Sequence, residues 1–373
     1  MTPGLTCRII ASNQAWIDAE QSWTLLAGRG AAIGLFQDHA FLSAWWRAAS
    51  IDWSGAAPAP PALHTVIVSD GDGPVAIAPL VLRRDRFPRR LVWMALEVSD
   101  YGDLIALPDL DAAALWPALR RAMAESGAAL ADLSQLRPDG AAARLLEPQA
   151  REGTSTMQSP YLELGGRTWP EVEKAFSANF RQEMRRKGRR LAKQLPWRYA
   201  ECADPAHRAA AIEFVIAQKR RQFADEPGSL ATLERVFAPF ARDVFARIRI
   251  GGARVHVAAL EAEADGRIIA AHLGFVDAER FYYYVPAFDP AFQSDSPGQL
   301  LICELVRRAA EERVQLFDML RGDYPYKWRL TDTSVTLTSV LEPLGVMGAA
   351  YLAARRVARM VMRRNGGPGR PTA

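Results

Sequence analysis

The stretch Val255–Gln299, VHVAALEAEADGRIIAAHLGFVDAERFYYYVPAFDPAFQSDSPGQ, decides how the chain is read. Val255–Glu261, Ile268–Val276 and Phe281–Val285 are apolar and aromatic runs of strand length. Ala264-Asp265-Gly266 and Asp277-Ala278-Glu279 join them as short polar turns, which makes an antiparallel meander. A polar loop then leads into a helix over Pro297–Glu312, whose Leu301, Ile302, Leu305 and Ala309 fall on one face. Ser296 followed three residues later by Gln299 reads as a capping box, with Pro297 at the first helical position. The opening turn of such a helix has amides without intrahelical partners, and the helix dipole makes it positive. Gly298 puts no side chain over those amides. Gln293, Ser296, Gly298 and Gln299 are therefore candidates for holding an anion. The same signature also starts helices that bind nothing, and the charge of Asp295 opposes an anion.

Downstream, Val314–Leu320 is an apolar strand interrupted by Asp318, and a last strand follows near Ser334–Leu341. A carboxylate inside an apolar strand is partly desolvated, which raises its proton affinity towards that of a base. Asp318 is thus a candidate base or acceptor-orienting group, the alternative being a structural ion pair with Lys327 or Arg321. Asp323, Tyr324, Tyr326 and Lys327 cluster in the polar loop between the two strands. Lys327 suits a phosphate or an anionic acceptor, or is a solvated loop lysine. Tyr282, Tyr283 and Tyr284 alternate between the two faces of their strand.

Upstream, a long helix is expected from about Pro170 to Leu195, with Val172, Phe176, Phe180, Met184, Leu191 and Leu195 on one face. Arg181, Arg185, Arg186, Lys187, Arg189, Arg190 and Lys193 line the other. So many like charges repel one another, which either solvent or a bound anion relieves. Ala206–Phe223 and Leu230–Ala246 read as two more helices. The first 160 residues mix α and β: a helix from Leu35 to Trp46, a loop over Ser54–Ala62, and Leu63–Val68 and Pro74–Leu82 about an Asp-Gly-Asp-Gly turn. Arg89–Leu96 and Leu130–Leu133 are strands flanking a helix over Ala112–Gly127. Polar residues around Arg151–Ser159 suggest a boundary, giving units 1–160 and 161–342 and a tail 343–373.

The chain has 373 residues, a formal net charge of +4 and three scattered cysteines, Cys7, Cys202 and Cys303. Neither a CxxC pair nor a helical HExxH is present, so the spacing supports no disulfide framework and no metal site. The mild positive charge favours anionic ligands, and no nucleic-acid motif accompanies the basic helix, so nucleic acid is not an expected partner. No secretory leader and no apolar window of roughly 18 residues is found, which leads to the expectation of a cytoplasmic protein. In the tail, Met347, Tyr351, Ala354, Ala358 and Val361 recur opposite Arg355, Arg359 and Arg363. This basic amphipathic helix, within 344–364, suits either an anionic membrane surface or the protein's own surface. Asn365–Ala373 is rich in Gly and Pro.

Gln293, Ser296 and Gly298 fall on the Q/R-x-x-G-x-G/A loop of the GNAT superfamily, with Ser296 in place of its first glycine. The run Tyr282–Leu330, with its tyrosine-rich strand, Pro-Gly-x-Leu-Leu helix start and Phe-Asp, Gly-Asp and Tyr-Lys pairs, resembles the acetyltransferase family associated with cellulose and exopolysaccharide biosynthesis. SANFRQEMRRKGRRL (Ser177–Leu191) resembles that family's arginine-rich helix, and DHAFLSAWW and SDYGDLI its N-terminal half, similar to a degenerate second GNAT unit. The resemblance implies an α+β (mixed α/β) fold of tandem GNAT-like domains, each a mostly antiparallel sheet flanked by helices. It implies acetyl-CoA or another acyl-CoA as donor and an amine or hydroxyl of a sugar, polysaccharide precursor or other small polar molecule as acceptor. Asp318, Asp323 and Tyr283 are then the catalytic candidates, with a tyrosine protonating the leaving thiolate. Arg181, Arg185, Tyr326 and Lys327 are candidates for the acceptor. FemAB-type transferases are similar in architecture, so aminoacyl-tRNA-dependent transfer is one alternative. A non-catalytic scaffold is the other.

Overall fold

A computed structural model of the protein describes residues 4–51, 60–85, 87–146 and 156–365. Most of the expected loop at Ser54–Ala62, the start of the polar boundary at Arg151–Ser159 and the tail beyond Asn365 lie outside the described residues.

The N-terminal half runs β1 (Thr6–Ile10), α1 (Asn13–Asp18), α2 (Glu20–Gly28) and α3 (His39–Ala49). Strands β2 (Ala62–Leu63), β3 (Thr65–Asp70), β4 (Gly73–Ala78), β5 (Leu80–Arg83) and β6 (Arg90–Trp93) follow. Then come β7 (Ile105–Ala106), α4 (Ala112–Ala124), β8 (Leu130–Leu136) and α5 (Ala141–Leu146). The C-terminal half begins with β9 (Thr156–Glu163), α6 (Trp169–Ala175), α7 (Ala178–Gln194) and β10 (Trp197–Glu201). Helices α8 (Pro205–Gln222), α9 (Pro227–Thr232) and α10 (Ala238–Phe245) lead to β11 (Arg249–Ile250). The meander is β12 (Ala253–Ala262), β13 (Ile268–Val276) and β14 (Arg280–Phe288). A 3-10 turn over Pro290–Asp295 enters α11 (Pro297–Glu311), followed by β15 (Leu316–Asp318), β16 (Ser334–Pro343) and α12 (Val346–Asn365).

The helix expected over Leu230–Ala246 starts at Pro227 and carries a π turn over Leu233–Phe237, and two further helix readings differ because of a cap. The helix expected from Leu35 starts at His39, where the Asp38 carboxylate accepts from the Ala40 and Phe41 amides, and Leu35–Gln37 is a 3-10 turn. The helix expected over Pro170–Leu195 is broken into α6 and α7. Ser177 Oγ accepts from the Phe180 amide and starts the second helix afresh.

Among the described residues the main sheet has twelve strands, in the order β10-β12-β13-β14-β15-β9-β16-β8-β6-β5-β2, with β11 beside β12. β1, β3, β4 and β7 form a smaller sheet. Neighbours are antiparallel apart from β14 with β15 and β6 with β8. Each of these parallel pairs is joined through one helix, α11 and α4 respectively, so the chain builds the same device twice. The final strand is exchanged between the halves. β16 pairs with β9 through Ser334–Thr338 and with β8 through Thr338–Pro343, and so is bonded into both. The expected division at residue 160 falls inside β9, which pairs with β15. One apolar core runs across the halves, where Phe41 of α3 meets Phe240 of α10 at 5.1 Å. A second core lies under α11 and α7 on the opposite face of the meander.

No helix among the described residues is long and apolar enough to cross a membrane. α12 docks by its first turns: Gly348 lies against the Ala129 carbonyl, too close for any Cβ, and Arg90 reaches the Tyr351 hydroxyl. Beyond that contact Val357 and Met360 are exposed.

Candidate functional site

β14 and β15 share only three rungs, Arg280–Leu316, Phe281–Phe317 and Tyr282–Asp318, and then diverge. Residues Tyr283–Phe288 on one arm and Met319–Gly322 on the other therefore open a V at the sheet centre, with Asp318 at its apex and the start of α11 at its mouth.

The mouth is built from three elements. Ser296 precedes α11 in the left-handed conformation (φ 51°) and makes no side-chain cap; its hydroxyl accepts from Lys187 Nζ at 2.7 Å. Gln299 does not reach back either, because its Oε1 accepts from Arg329 at 3.1 Å. The expected capping box is thus absent, and cationic side chains hold both of its members. Pro297 has no N–H, and the Gln299 and Leu300 amides turn back to the Ser296 carbonyl at 2.9 and 3.1 Å. The second helical amide, that of Gly298, remains without an intrahelical partner. Phe288 forms one wall, 3.3 Å from where a Gly298 Cβ would stand. Gln293 is exposed.

Asp295 is 1% exposed, turned inward onto Arg190 and the Ser294 hydroxyl, so its charge does not face the mouth. Glu183 pairs with Lys187 at 2.7 Å and with Arg329, and these partners hold its carboxyl down at about 2. Three cations thus meet two carboxylates around the first turn of α11. Arg181 and Arg185 stand further along α7: Arg185 is exposed and pairs with Glu173 at 3.0 Å, and Arg181 Nε is buried without a hydrogen-bond partner.

At the apex, Asp318 is 3% exposed and burial raises its pKa, against the pull of its partners. It accepts from the Tyr101 hydroxyl at 2.7 Å and from the Leu320 amide at 2.9 Å. Arg137 and Arg280 each stand 3.7 Å away. Tyr101 also shares a 2.7 Å hydrogen bond with Ser159 and lies under Arg137. The ion pair expected with Lys327 or Arg321 is not made: Arg321 pairs with Asp100 at 2.9 Å. Lys327 is a buried lysine and not a solvated one. Its ammonium donates to the Leu320 and Arg321 carbonyls at 2.9 and 2.8 Å, groups that β14 has left behind, and burial lowers its pKa to about 8.

The remaining candidates separate by face. Tyr283 is buried beneath α11, its ring stacked on His272 at 4.9 Å, and burial pushes its pKa up. Tyr326 packs against that same core and stacks on Tyr324. Asp323 is exposed on the loop beyond the V and accepts from the Trp328 indole. Tyr101, Arg137, Arg280 and Glu183 escaped the sequence reading as site residues. The only trace of the first was the SDYGDLI stretch.

A family model described as an acetyltransferase (GNAT) domain matches residues 178–328, which span α7, the meander, the V and Lys327. The chain carries a GNAT acetyltransferase domain and is an acyltransferase. Among solved structures it is similar to a tandem GNAT protein from the clavulanic acid biosynthesis pathway, at 13% identity and TM-score 0.50, over 91% of this chain and 99% of that one. A conserved protein of unknown function from Bacteroides thetaiotaomicron aligns at 11% identity and TM-score 0.55, over 90% and 100%. FemX aligns at 10% identity and TM-score 0.52, over 91% and 96%. These likenesses establish the tandem GNAT fold expected from the sequence. No curated protein sequence matches the chain.

Proposed function

We propose that the protein transfers an acyl group, acetyl in the simplest case, from acyl-CoA to an amine or hydroxyl of a small polar acceptor such as a sugar or polysaccharide precursor. One observation carries this reading: the diverging β14 and β15, with the uncapped, cation-lined start of α11 at their mouth. Gly298, Lys187 and Arg329 suit the diphosphate of the donor, through an unpaired amide and charge-assisted hydrogen bonds. Ser296 and Gln299, released from capping, orient the two cations. The unpaired edge of β14 beyond Tyr282 is open to the amide groups of an extended pantetheine arm.

Lys327 commits two of its three ammonium protons to carbonyls at the V. We assign the third, on an ammonium that also stands 5.4 Å from the centre of the Tyr324 ring, to the negative charge that develops when the thioester carbonyl is attacked, where a fixed donor lowers the barrier. Asp318 is a positioning residue here, because it holds the left-handed turn at Leu320 (φ 60°) whose carbonyl anchors Lys327. Asp323, exposed on the loop beyond the V, is the carboxylate we assign to take the acceptor's proton. Arg181 and Arg185 on α7 and Tyr326 suit contacts with an anionic or saccharide acceptor.

Isothermal titration with CoA and acetyl-CoA tests the donor. Binding is expected, with at least a tenfold loss in Gly298→Glu, whose carboxylate meets the phosphates. No binding of CoA or acetyl-CoA by a folded protein that retains charged tRNA on a filter would replace this reading with aminoacyl-tRNA-dependent transfer.

A further inference from the structure

Away from the V, on the face of the meander covered by α8, Cys202, His207 and Glu261 bring one sulfur, one nitrogen and one oxygen within 4.8 Å of one another. Each is delivered by a separate device. Cys202 directly follows β10, with its amide bonded to the Val257 carbonyl at 2.8 Å. His207 lies in the first turn of α8, which Asp204 caps. Glu261 sits at a register shift between β12 and β13, the kind of irregularity that re-aims a side chain. The cysteine and glutamate are buried, and His207 is partly open on a pocket of about 550 Å³ lined also by Phe214, Arg221, Arg267 and Asp289.

We propose that these three residues form a binding site for a divalent transition metal of the zinc class, with an open coordination position towards that pocket. Both neighbours face the same ring nitrogen, His207 Nε2. A nucleophilic relay needs the two different ring nitrogens, so the cluster is not one. Convergence on one point is what ligation requires. Metal bonds of roughly 2.3 Å to sulfur and 2.05 Å to nitrogen at a tetrahedral angle place those atoms about 3.5 Å apart. The Cys202–His207 separation is 3.5 Å. A thiolate, a carboxylate and a neutral imidazole carry two negative charges, which one divalent ion neutralises. The contact between His207 and Glu261 opens as the ion enters. Three protein ligands leave a fourth position, and the exposed edge of His207 directs it at the pocket. Asp289, which also lines that pocket, caps the turn leading to α11. The site therefore borders the segment assigned to the donor while sharing no residue with it. Glu261 lies 54 positions after His207, which is why spacing along the chain concealed the group.

The test uses the full-length protein, purified and stripped with chelator, titrated with Co(II) and separately with Zn(II). A thiolate-to-cobalt charge-transfer band at one equivalent, displaced by Zn(II) and absent in Cys202→Ser, is expected. His207→Ala is expected to weaken Co(II) at least tenfold, and Zn(II) to raise the melting temperature of the native chain. The opposing structure is a salt bridge of His207 and Arg198 with Glu261, which stands 3.5 Å from Arg198. In that case no band forms, Zn(II) leaves the melting temperature unchanged, and the proposal falls. CoA titration of the same stripped sample reports on the donor site independently, so failure of one leaves the other standing.

Discussion

The two halves build the same parallel pair and treat the space beyond it in opposite ways. β6 and β8 share three rungs, Arg90–Leu130, Leu91–Ala131 and Val92–Asp132, just as β14 and β15 do. In the N-terminal half, however, the chain returns to fill its own V. Gly102 bridges to Leu136, donates to the Gln135 carbonyl at 3.0 Å and packs against Trp93. The void left under α4 is apolar and about 10 Å³, barely room for one water. In the C-terminal half the arms part around a lysine ammonium and an uncapped helix. The filled V has a second use: its plug carries Tyr101 across to Asp318. One copy of the device has become the support of the other.

The largest effect is expected from breaking the plug. A Cβ on Gly102 would stand 2.2 Å from the Trp93 ring and 2.4 Å from the Ser134 carbonyl, and a backbone atom cannot swing away. Gly102→Val is expected to cost about 3 kcal/mol or more in urea unfolding. A cost under about 1 kcal/mol would mean that the N-terminal V is looser than its partner and the comparison is wrong.

Next in size is the open V. Lys327→Met keeps the apolar stem and removes the donor, and is expected to slow thiol release from acetyl-CoA about 100-fold in the presence of acceptor amines or alcohols. Its pH dependence has a distinctive sign. With the folded pKa lowered to about 8 from 10.5, the unfolded chain holds more protons between those values. The lysine's contribution to stability therefore rises with pH through that window, while its hydrogen-bond donation falls as pH passes about 8. A rate that declines above pH 8 without loss of fold separates this role from a structural one. Unchanged turnover in the methionine variant would remove Lys327 from the chemistry.

Much of the C-terminal half was legible because its signals are local. The meander shows strand-length runs and two polar turns, and Pro297 marks the first residue of α11. What escaped depends on partners distant in sequence. The pairing of Thr336 with Gln158 joins residues 178 positions apart, so no periodicity carries it, and the exchange of β16 was hidden. Asp318 was visible as a carboxylate in an apolar strand, but its partner Tyr101 lies 217 positions away. The capping box failed for a related reason. Ser296 and Gln299 have the right types and spacing, and α7 and Arg329 take their side chains first. Lys327 looked like a loop residue because hydropathy does not record carbonyls stranded by a diverging strand.

The link between the halves ranks third. Tyr101→Phe keeps the ring under Arg137 and removes the hydroxyl bonded to Asp318 and Ser159. A buried hydrogen bond to a charged group is worth about 1.5–3 kcal/mol, and that loss is expected in unfolding. If Asp318 positions Lys327 through Leu320, turnover falls as well while acetyl-CoA affinity is kept. A stability loss with full turnover would confine the pair to holding the halves together.

The smallest and most discriminating effect compares the two crossover helices at their first residues. Asp111 caps α4 by accepting from the Ala113 amide at 2.9 Å, whereas Ser296 leaves α11 uncapped and answers to Lys187. A lost aspartate cap costs about 1 kcal/mol, so Asp111→Ala is expected to lower stability by that amount and leave CoA affinity unchanged. Ser296→Ala removes no cap, and because the residue is left-handed it gains no backbone relief from alanine either. Its expected signature is the reverse: a stability change within about 0.5 kcal/mol and CoA binding weakened a few-fold, as Lys187 loses the hydroxyl that aims it. Should Ser296→Ala behave like Asp111→Ala, the start of α11 is an ordinary helix end, and the difference between the open and the filled V lies elsewhere.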